Sequence, residues 1–532
     1  MKKLSILLFA LIIGYSYANS QTIYDGELFS NRELSGTARY VGMGGALGAL
    51  GADISTMSTN PAGIGLYRSN DVAMTLGYTN NEVKSNFMGE KNSFKVDRIG
   101  LKNMGIVFST PMYGSSLKYL NFGFNYHRSN DFYRSIGMSG TFNTSADGGV
   151  ISIANAMAVQ ANNSLLNGND VANASGEGGN IYANPRYGWM SLLGFNSYLI
   201  NPGLVDGEKR YFPHPMTSPN ALFHSDERGG INQYDFNISM NLSDRVFLGL
   251  TIGAYDLNYR TLTYYDEAFM FENNPKYKEM ALLETSSEID GSGYDFKLGV
   301  IVRPIENSPF RIGFAVHTPT FYNLTHYTNV RFSSDIYQRD AENQSLNLLK
   351  TDIDTYNELS GDNISDFKLR TPWKFNFSLG HNVGDFLALG AEYEYQDYSS
   401  MKFKYDGGGS MGVNTDMLKG VHTLKLGLEY RIVPEFAFRA GYNMQSGIFK
   451  EDAYKEISNN SVLTDVQYVN KSNVKNTFTF GVGYAGKVFY SDLAFVFDSY
   501  KSDFRPFDDP ELNFTKLTSN KSQVLLTLGM RL

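Results

Sequence analysis

Seven histidines are the first residues in this 532-residue chain that could act as acids, bases or metal ligands: His127, His214, His224, His317, His326, His381 and His422. None sits in the H-E-x-x-H pattern of a zinc hydrolase, and no nucleophile elbow on a strand-to-helix turn accompanies them. His214 and His224 could hold a metal or a haem, but two histidines in one long insertion are commonly ordinary loop residues. The absence of cysteine removes thiolate metal sites, a thiol nucleophile, disulfides and a thiol-borne lipid anchor. Gly42, Gly44, Gly45 and Gly48 could cradle a phosphate, yet no apolar strand precedes them and their spacing is not G-x-G-x-x-G. The sequence thus predicts neither an enzyme nor a cofactor. A net charge of -8 with no basic stripe also argues against nucleic acid as a partner.

The elements that carry these residues point elsewhere. Lys2 and Lys3, an apolar run from Leu4 to Ile13 and small residues at Ala18-Asn19-Ser20 read as a cleaved export signal over 1–20. No later run approaches the roughly 18 apolar residues of a membrane helix. Aromatic residues make up 14% of the chain, with 52 glycines and a mean hydropathy of -0.28. That mixture suits strands with one lipid face and one polar face.

Period-two alternation follows. Leu424, Leu426, Leu428 and Tyr430 share a face opposite Thr423, Lys425, Gly427, Glu429 and Arg431. Trp373, Phe375, Phe377 and Leu379 oppose Lys374, Asn376, Ser378 and Gly380, while Phe478, Phe480, Val482 and Tyr484 oppose Thr477, Thr479, Gly481 and Gly483. About 14 such segments run from Asp71 to the end, among them 71–85, 245–265, 420–432 and 521–532. Short turns such as Asn241-Leu242-Ser243-Asp244 and Asn382-Val383-Gly384-Asp385 alternate with long polar loops, as in a barrel with a periplasmic and an outer end. The last strand ends on Leu532 where outer-membrane proteins usually end on an aromatic. The expected fold is an all-β transmembrane antiparallel barrel over 71–532, with an N-terminal plug over 21–70; a secreted β-sandwich array is the rival architecture.

Two regions break the alternation. The insertion at about 139–230 holds an expected helix around Val150 to Leu166. After it comes an aromatic cluster with Tyr187, Trp189, Met190, Leu193, Phe195 and Tyr198, which either folds over the barrel mouth or faces water and captures an apolar ligand through residues such as Trp189 and Phe195. The other region, 22–70, contains Ser35-Gly36-Thr37-Ala38-Arg39, Gly42-Met43-Gly44-Gly45-Ala46, Gly51-Ala52-Asp53-Ile54-Ser55 and Asn60-Pro61-Ala62-Gly63-Ile64. Small residues would let such a segment pack closely inside a lumen, and Asn60-Pro61 favours a turn into the first strand.

In the order and spacing of these motifs the segment resembles the N-terminal hatch of the FadL/TodX family, outer-membrane transporters for long-chain fatty acids and other hydrophobic compounds. The rest of the chain matches in architecture only. The resemblance implies a 14-stranded barrel in the outer membrane of a Gram-negative bacterium, passive transport through an apolar pocket, and a hatch that shifts. Asn60, Pro61 and Ala62 would be its conformational residues, with Gly44 and Gly45 as packing residues. Of the inward cations, Lys374, Lys425, Arg431 and Arg439 could meet a ligand carboxylate, or each could pair with lumen acids such as Glu392, Glu394 or Glu429. The expected partners are a small hydrophobic molecule, outer-membrane lipid and the barrel-assembly machinery, with the barrel working as a monomer. A scaffold or shuttle in a secretion or surface-assembly complex is the alternative, a haem receptor another, and an open porin the third, disfavoured by the plug.

Overall fold

Strands that alternate apolar with polar or small residues can bury one face and satisfy every backbone group only by pairing all the way round. The computed structural model describes residues 21–113, 116–166, 168–172, 180–217, 219–340, 345–464, 467–469 and 473–532; the expected export signal at 1–20 lies outside the described residues. Within them the chain forms a closed antiparallel barrel of 14 strands. These are β1 Asp71–Phe87, β2 Glu90–Pro111, β3 Leu117–Asp131 continued by Arg134–Thr141, β4 Asn220–Leu242, β5 Val246–Met270, β6 Lys278–Val302 and β7 Arg311–His317 continued by Phe321–Arg339. There follow β8 Asn363–Arg370 continued by Lys374–Val383, β9 Leu387–Asp397 continued by Lys402–Tyr405, β10 Gly420–Val433, β11 Phe436–Gln445, β12 Lys475–Ala485, β13 Phe489–Arg505 and β14 Thr515–Arg531. Each strand pairs with the next, and β1 pairs with β14 from Asp71↔Arg531 to Asn86↔Lys516, which closes the ring.

The expected face assignments hold. Phe375, Phe377, Leu379, Leu424, Leu426, Leu428, Phe478, Phe480 and Val482 are exposed on the outside of the wall, while Asn376, Ser378, Lys425 and Thr479 are buried in the lumen. An apolar belt of this extent is stable only against lipid. Crossing a bilayer takes about 10 residues, yet β5 and β6 each run 25 residues, so the barrel stands far above the membrane at the end that bears the long loops.

Three adjacent strands are interrupted at one height. The gaps fall at Thr318-Pro319-Thr320 in β7, Thr371-Pro372-Trp373 in β8 and Tyr398–Ser400, a 3-10 turn, in β9. Pro319 and Pro372 cannot donate to the ladder. Threonine side chains repair it: Thr320 N donates to Thr371 Oγ1 at 2.8 Å, and Phe296 N to Thr318 Oγ1 at 3.0 Å.

The insertion contains the helix expected there, α3 Ile153–Asn163, and, beyond the short helix Gly168–Ala172, α4 Trp189–Asn196; two helices precede them, α1 Ile23–Ser30 and α2 Ala38–Gly42. Ser152 caps α3, and Glu267 of β5 accepts from Ser152 Oγ at 2.5 Å and from Ile153 N at 2.7 Å, which anchors the insertion to the wall. The α3–α4 unit then packs on inward-facing side chains of the extended strands, including Phe87, Met138, Phe223, Tyr265, Leu283, Phe332, Phe504 and Leu517, in one apolar core. The barrel mouth is filled in the manner of a soluble protein.

A cation placed on the lipid face should cost most at mid-membrane. Phe377→Arg is expected to destabilise the liposome-folded barrel by about 2–4 kcal/mol, measured by denaturant titration, whereas Phe377→Leu should stay near wild type.

Candidate functional site

Residues 22–70 lie inside the ring, and the contacts that hold them come from inward faces of strands all round it. Asn60 is fully buried and caps the 3-10 turn Pro61–Leu66, its Oδ1 accepting from Ala62 N at 3.2 Å. Its Nδ2 donates to the carbonyls of Gly48, at 2.8 Å, and of Val300 in β6, at 3.4 Å. One side chain thereby ties two turns of the segment to the wall. Around it Ser239 Oγ donates to Pro61 O at 2.8 Å, Asn121 Nδ2 to Ile64 O at 2.7 Å and His317 Nε2 to Thr59 O at 2.6 Å. Ala62 itself is buried against Phe247 and Ile301.

The approach is closer than side chains would permit. Gly380, Gly390, Gly427 and Gly441 are direct cross-strand neighbours through β8, β9, β10 and β11. With strands about 4.8 Å apart they line a bare trench roughly 14 Å long. The segment's backbone lies in it: a Cβ at Gly390 would strike Ala46 O, one at Gly427 Met43 O, and one at Gly441 Gly44 N. Gly44 has φ +62° and Gly45 φ +78°, the left-handed region that glycine tolerates, so the pair both turns the chain and lets it touch the wall. A second bare spot, the cross-strand pair Gly249↔Gly299 of β5 and β6, receives Pro61 and Asn60.

Charges complete the seating. Lys425 Nζ bridges Glu392 (2.8 Å) and Glu394 (2.9 Å), with Lys374 at 4.0 Å from Glu394; Glu392 also accepts from Gly48 N at 3.1 Å. Arg439 spans Glu429 (2.7 Å) and Asp492 (2.6 Å), and Arg431 reaches Glu429 at 3.2 Å from an exposed position. The segment contributes Arg39, 3.1 Å from Glu429 and 3.9 Å from Asp53, whose carboxylate caps Ile54–Ser58 through Ser55 N and accepts from Thr37 Oγ1. All four cations named from sequence thus have carboxylates beside them.

Above the segment lies a chamber of about 290 Å³. Tyr24 and Leu28 of α1, Phe132, Tyr259, Phe449 and Tyr468 supply apolar surface, and Glu27, Arg134, Glu227, Lys475 and Lys521 supply charge. The chamber is therefore amphiphilic, where an apolar pocket is what the resemblance implies. Arg134 is held by Glu227 at 2.6 Å and Lys521 by Glu33 at 2.6 Å; among the described residues Lys475 Nζ has no carboxylate within 4.0 Å. Trp189 and Phe195 do not line the chamber: Trp189 is fully buried in the mouth core, its Nε1 donating to Tyr182 O at 2.9 Å, and Phe195 packs half-buried on that core. Tyr187, Trp189, Met190 and Leu193 of the aromatic cluster are buried, and Tyr198 is its exposed member.

The histidines are dispersed. His214 meets Glu279 at 3.0 Å in the insertion's base, while His224 lies 3.5 Å from Asp226 on β4, and no metal-holding cluster occurs among the described residues. Gly408-Gly409-Ser410-Met411-Gly412 has the G-x-S-x-G spacing, but it occupies the loop beyond β9 with no helix of an elbow after it. Sequence reasoning placed Arg39 and Asp53 in the segment's motifs without giving either a role, and it missed α1 and what the wall glycines face. The glycines had left a signal, since Gly380, Gly427 and Gly481 fall on the inward phase of their strands.

No protein-family model matches the sequence, and no curated protein does. Among solved structures, the fold is similar to that of a Pseudomonas aeruginosa FadL homologue, at 12% identity and a TM-score of 0.50, covering 94% of this chain and 99% of that one. It is also similar to the toluene transporter TodX of P. putida (11% identity, TM-score 0.49, 94% and 99% covered) and to the toluene transporter TbuX of Ralstonia pickettii (13%, 0.42, 94% and 99%). The shared architecture is the 14-stranded barrel.

Filling the trench should unseat the segment without opening the barrel. In Gly390→Val, heat-modifiable migration is expected to persist while trypsin cleavage after Arg39 accelerates at least about tenfold, the equivalent of losing about 1.4 kcal/mol of contacts; Ala391→Val, on the outer face, should change neither.

Proposed function

We propose that this chain is a passive channel of the Gram-negative outer membrane for small hydrophobic molecules, long-chain fatty acids or similar lipophilic compounds, with residues 21–70 as its hatch. The observation that carries the reading is the seal itself. A segment set backbone to backbone against the wall, with its turn ends tied by Asn60, stops the free water path that a porin keeps open. A chamber with aromatic surface and charge stands directly above it, suited to a molecule with an apolar body and a polar or charged head. The fold likeness to the FadL homologue supports the same reading.

Nothing in this mechanism requires chemistry on the ligand. The mouth core delays water, the ligand partitions into the chamber, and the hatch shifts as a unit because Asn60, Pro61 and Ala62 join its two turns. Export by a cleaved signal at 1–20, insertion by the barrel-assembly machinery and a monomeric working state belong to this proposal. A scaffold reading draws on one observation: the hairpin Ile200–Val205 with Glu208–Pro213 carries exposed Leu204, Val205 and Phe212 on the insertion.

The test is extraction of the purified barrel followed by mass spectrometry of bound small molecules. An apolar or amphiphilic compound retained at stoichiometric level is the expected result; a ligand-free lumen with a co-purifying protein would favour the scaffold. Beside it, Asn60→Ala should raise the fraction of time the pore conducts ions in planar bilayers by about 5- to 150-fold, which corresponds to about 1–3 kcal/mol of lost tethering. Unchanged conductance with an intact barrel would remove Asn60 from the gate.

A further inference from the structure

On the outer wall, β8 and β9 set like charges face to face. Lys368 is directly opposite Lys404, and Arg370 is opposite Lys402. The alternating residues Phe367, Leu369 and Phe403 are buried in the lumen core beside Phe29 of α1, so the four cations project outward. Directly opposed like charges weaken an antiparallel pair, and the local acids offset them little. Asp406 takes Lys368 at 3.0 Å, and Asp366 accepts from Thr325 Oγ1 at 2.6 Å. Arg370, Lys402 and Lys404 have no carboxylate within 4.0 Å among the described residues.

Their height is set by register. Arg370 pairs with Phe321, which pairs with Tyr294, the top of the outward apolar row Tyr294, Phe296, Leu298 and Val300. The Arg370 guanidinium lies 6.0 Å above the Phe321 ring, and exposed Trp373 follows just below. At about 3.3 Å per residue, all four cations fall within roughly 7 Å of the upper aromatic edge of the belt. That is headgroup level. Higher on the wall the cations are paired: Glu82 holds Lys84 (3.1 Å) and Lys95 (3.3 Å), and Arg260 is paired with Glu288.

We infer that the Lys368–Arg370–Lys402–Lys404 face is a binding site for the phosphate groups of a phosphorylated glycolipid in the outer leaflet. This rests on the membrane-channel reading above. Arg370 can engage a phosphate bidentately, the lysines add point charges, and the acyl chains lie along Phe321, Trp373 and Phe375 below. The occupied site offsets the mutual repulsion that the bare register leaves.

Native mass spectrometry of the detergent-solubilised full chain tests this. The probes are an acylated bisphosphorylated glucosamine disaccharide, its dephosphorylated counterpart and phosphatidylglycerol. Wild type is expected to retain the bisphosphorylated lipid at least about tenfold more tightly than the triple variant R370Q/K402Q/K404Q and than it retains either other lipid; K84Q/K95Q should match wild type. Equal retention by a triple variant that still migrates as a heat-modifiable barrel would overturn the site, and equal binding of phosphatidylglycerol would overturn the glycolipid assignment. Loss of that migration in wild type would overturn the membrane reading, and the site with it.

Discussion

The closeness of one backbone to another governs this molecule. A glycine inside a strand gives up about 0.5–1 kcal/mol relative to alanine, yet β8 to β11 place four of them side by side, where the N-terminal segment lies on the wall with nothing between. Any side chain there would lift the segment away, and with it the Asn60 bonds, the Gly48 contact to Glu392 and the Arg39 bridge. The wall supplies the bare trench; the segment supplies the left-handed Gly44–Gly45 turn that follows it.

Electrostatics explain why so polar a lumen is stable. A buried charge without a partner costs several kcal/mol, and the wall answers this by building small ion-paired groups, each a cation between two carboxylates: Lys425 with Glu392 and Glu394, Arg439 with Glu429 and Asp492, and Lys297 with Asp235 and Asp295. Arg39 is the segment side chain that joins such a group, meeting Glu429 while its neighbour Asp53 caps a turn. Docking of the segment therefore brings a second cation to the group of Arg439, Glu429 and Asp492, which on the wall alone has two carboxylates for one cation. Lys475, at the chamber edge, belongs to none of these groups.

The two ends of the lumen are closed by different physics. At the lower end the closure is a surface of turns hydrogen-bonded against glycine, serine and asparagine, with small apolar clusters such as Met43 and Leu47 near Ala494 and Val496, and Ile54 and Met57 near Val107. At the upper end it is an apolar core around Trp189, Leu192 and Leu193, in which opening would expose a large apolar area. The chamber between them joins aromatic faces to charges, and α1 packs behind the interrupted strands through Phe29 and Ser30, the latter touching Met401 Sδ at 3.2 Å.

Much of this was legible along the chain because the pleat writes its faces at period two. The outward Phe375, Phe377 and Leu379, the number and approximate limits of the strands and the α3 helix all follow from neighbours within about 10 residues of one another. The inward glycines were visible too, as small residues in the polar phase, though not what they faced. What the sequence alone could not determine depends on residues that meet across the ring. Arg39 and Glu429 are 390 positions apart, Asn60 and Val300 240 apart. The same holds for the amphiphilic chamber, for the burial of Trp189 and Phe195 in the mouth core, and for the opposed lysines of β8 and β9. A strand's own alternation determines which way its side chains point. Only closure of the barrel, which brings distant strands to a common height, decides what they point at.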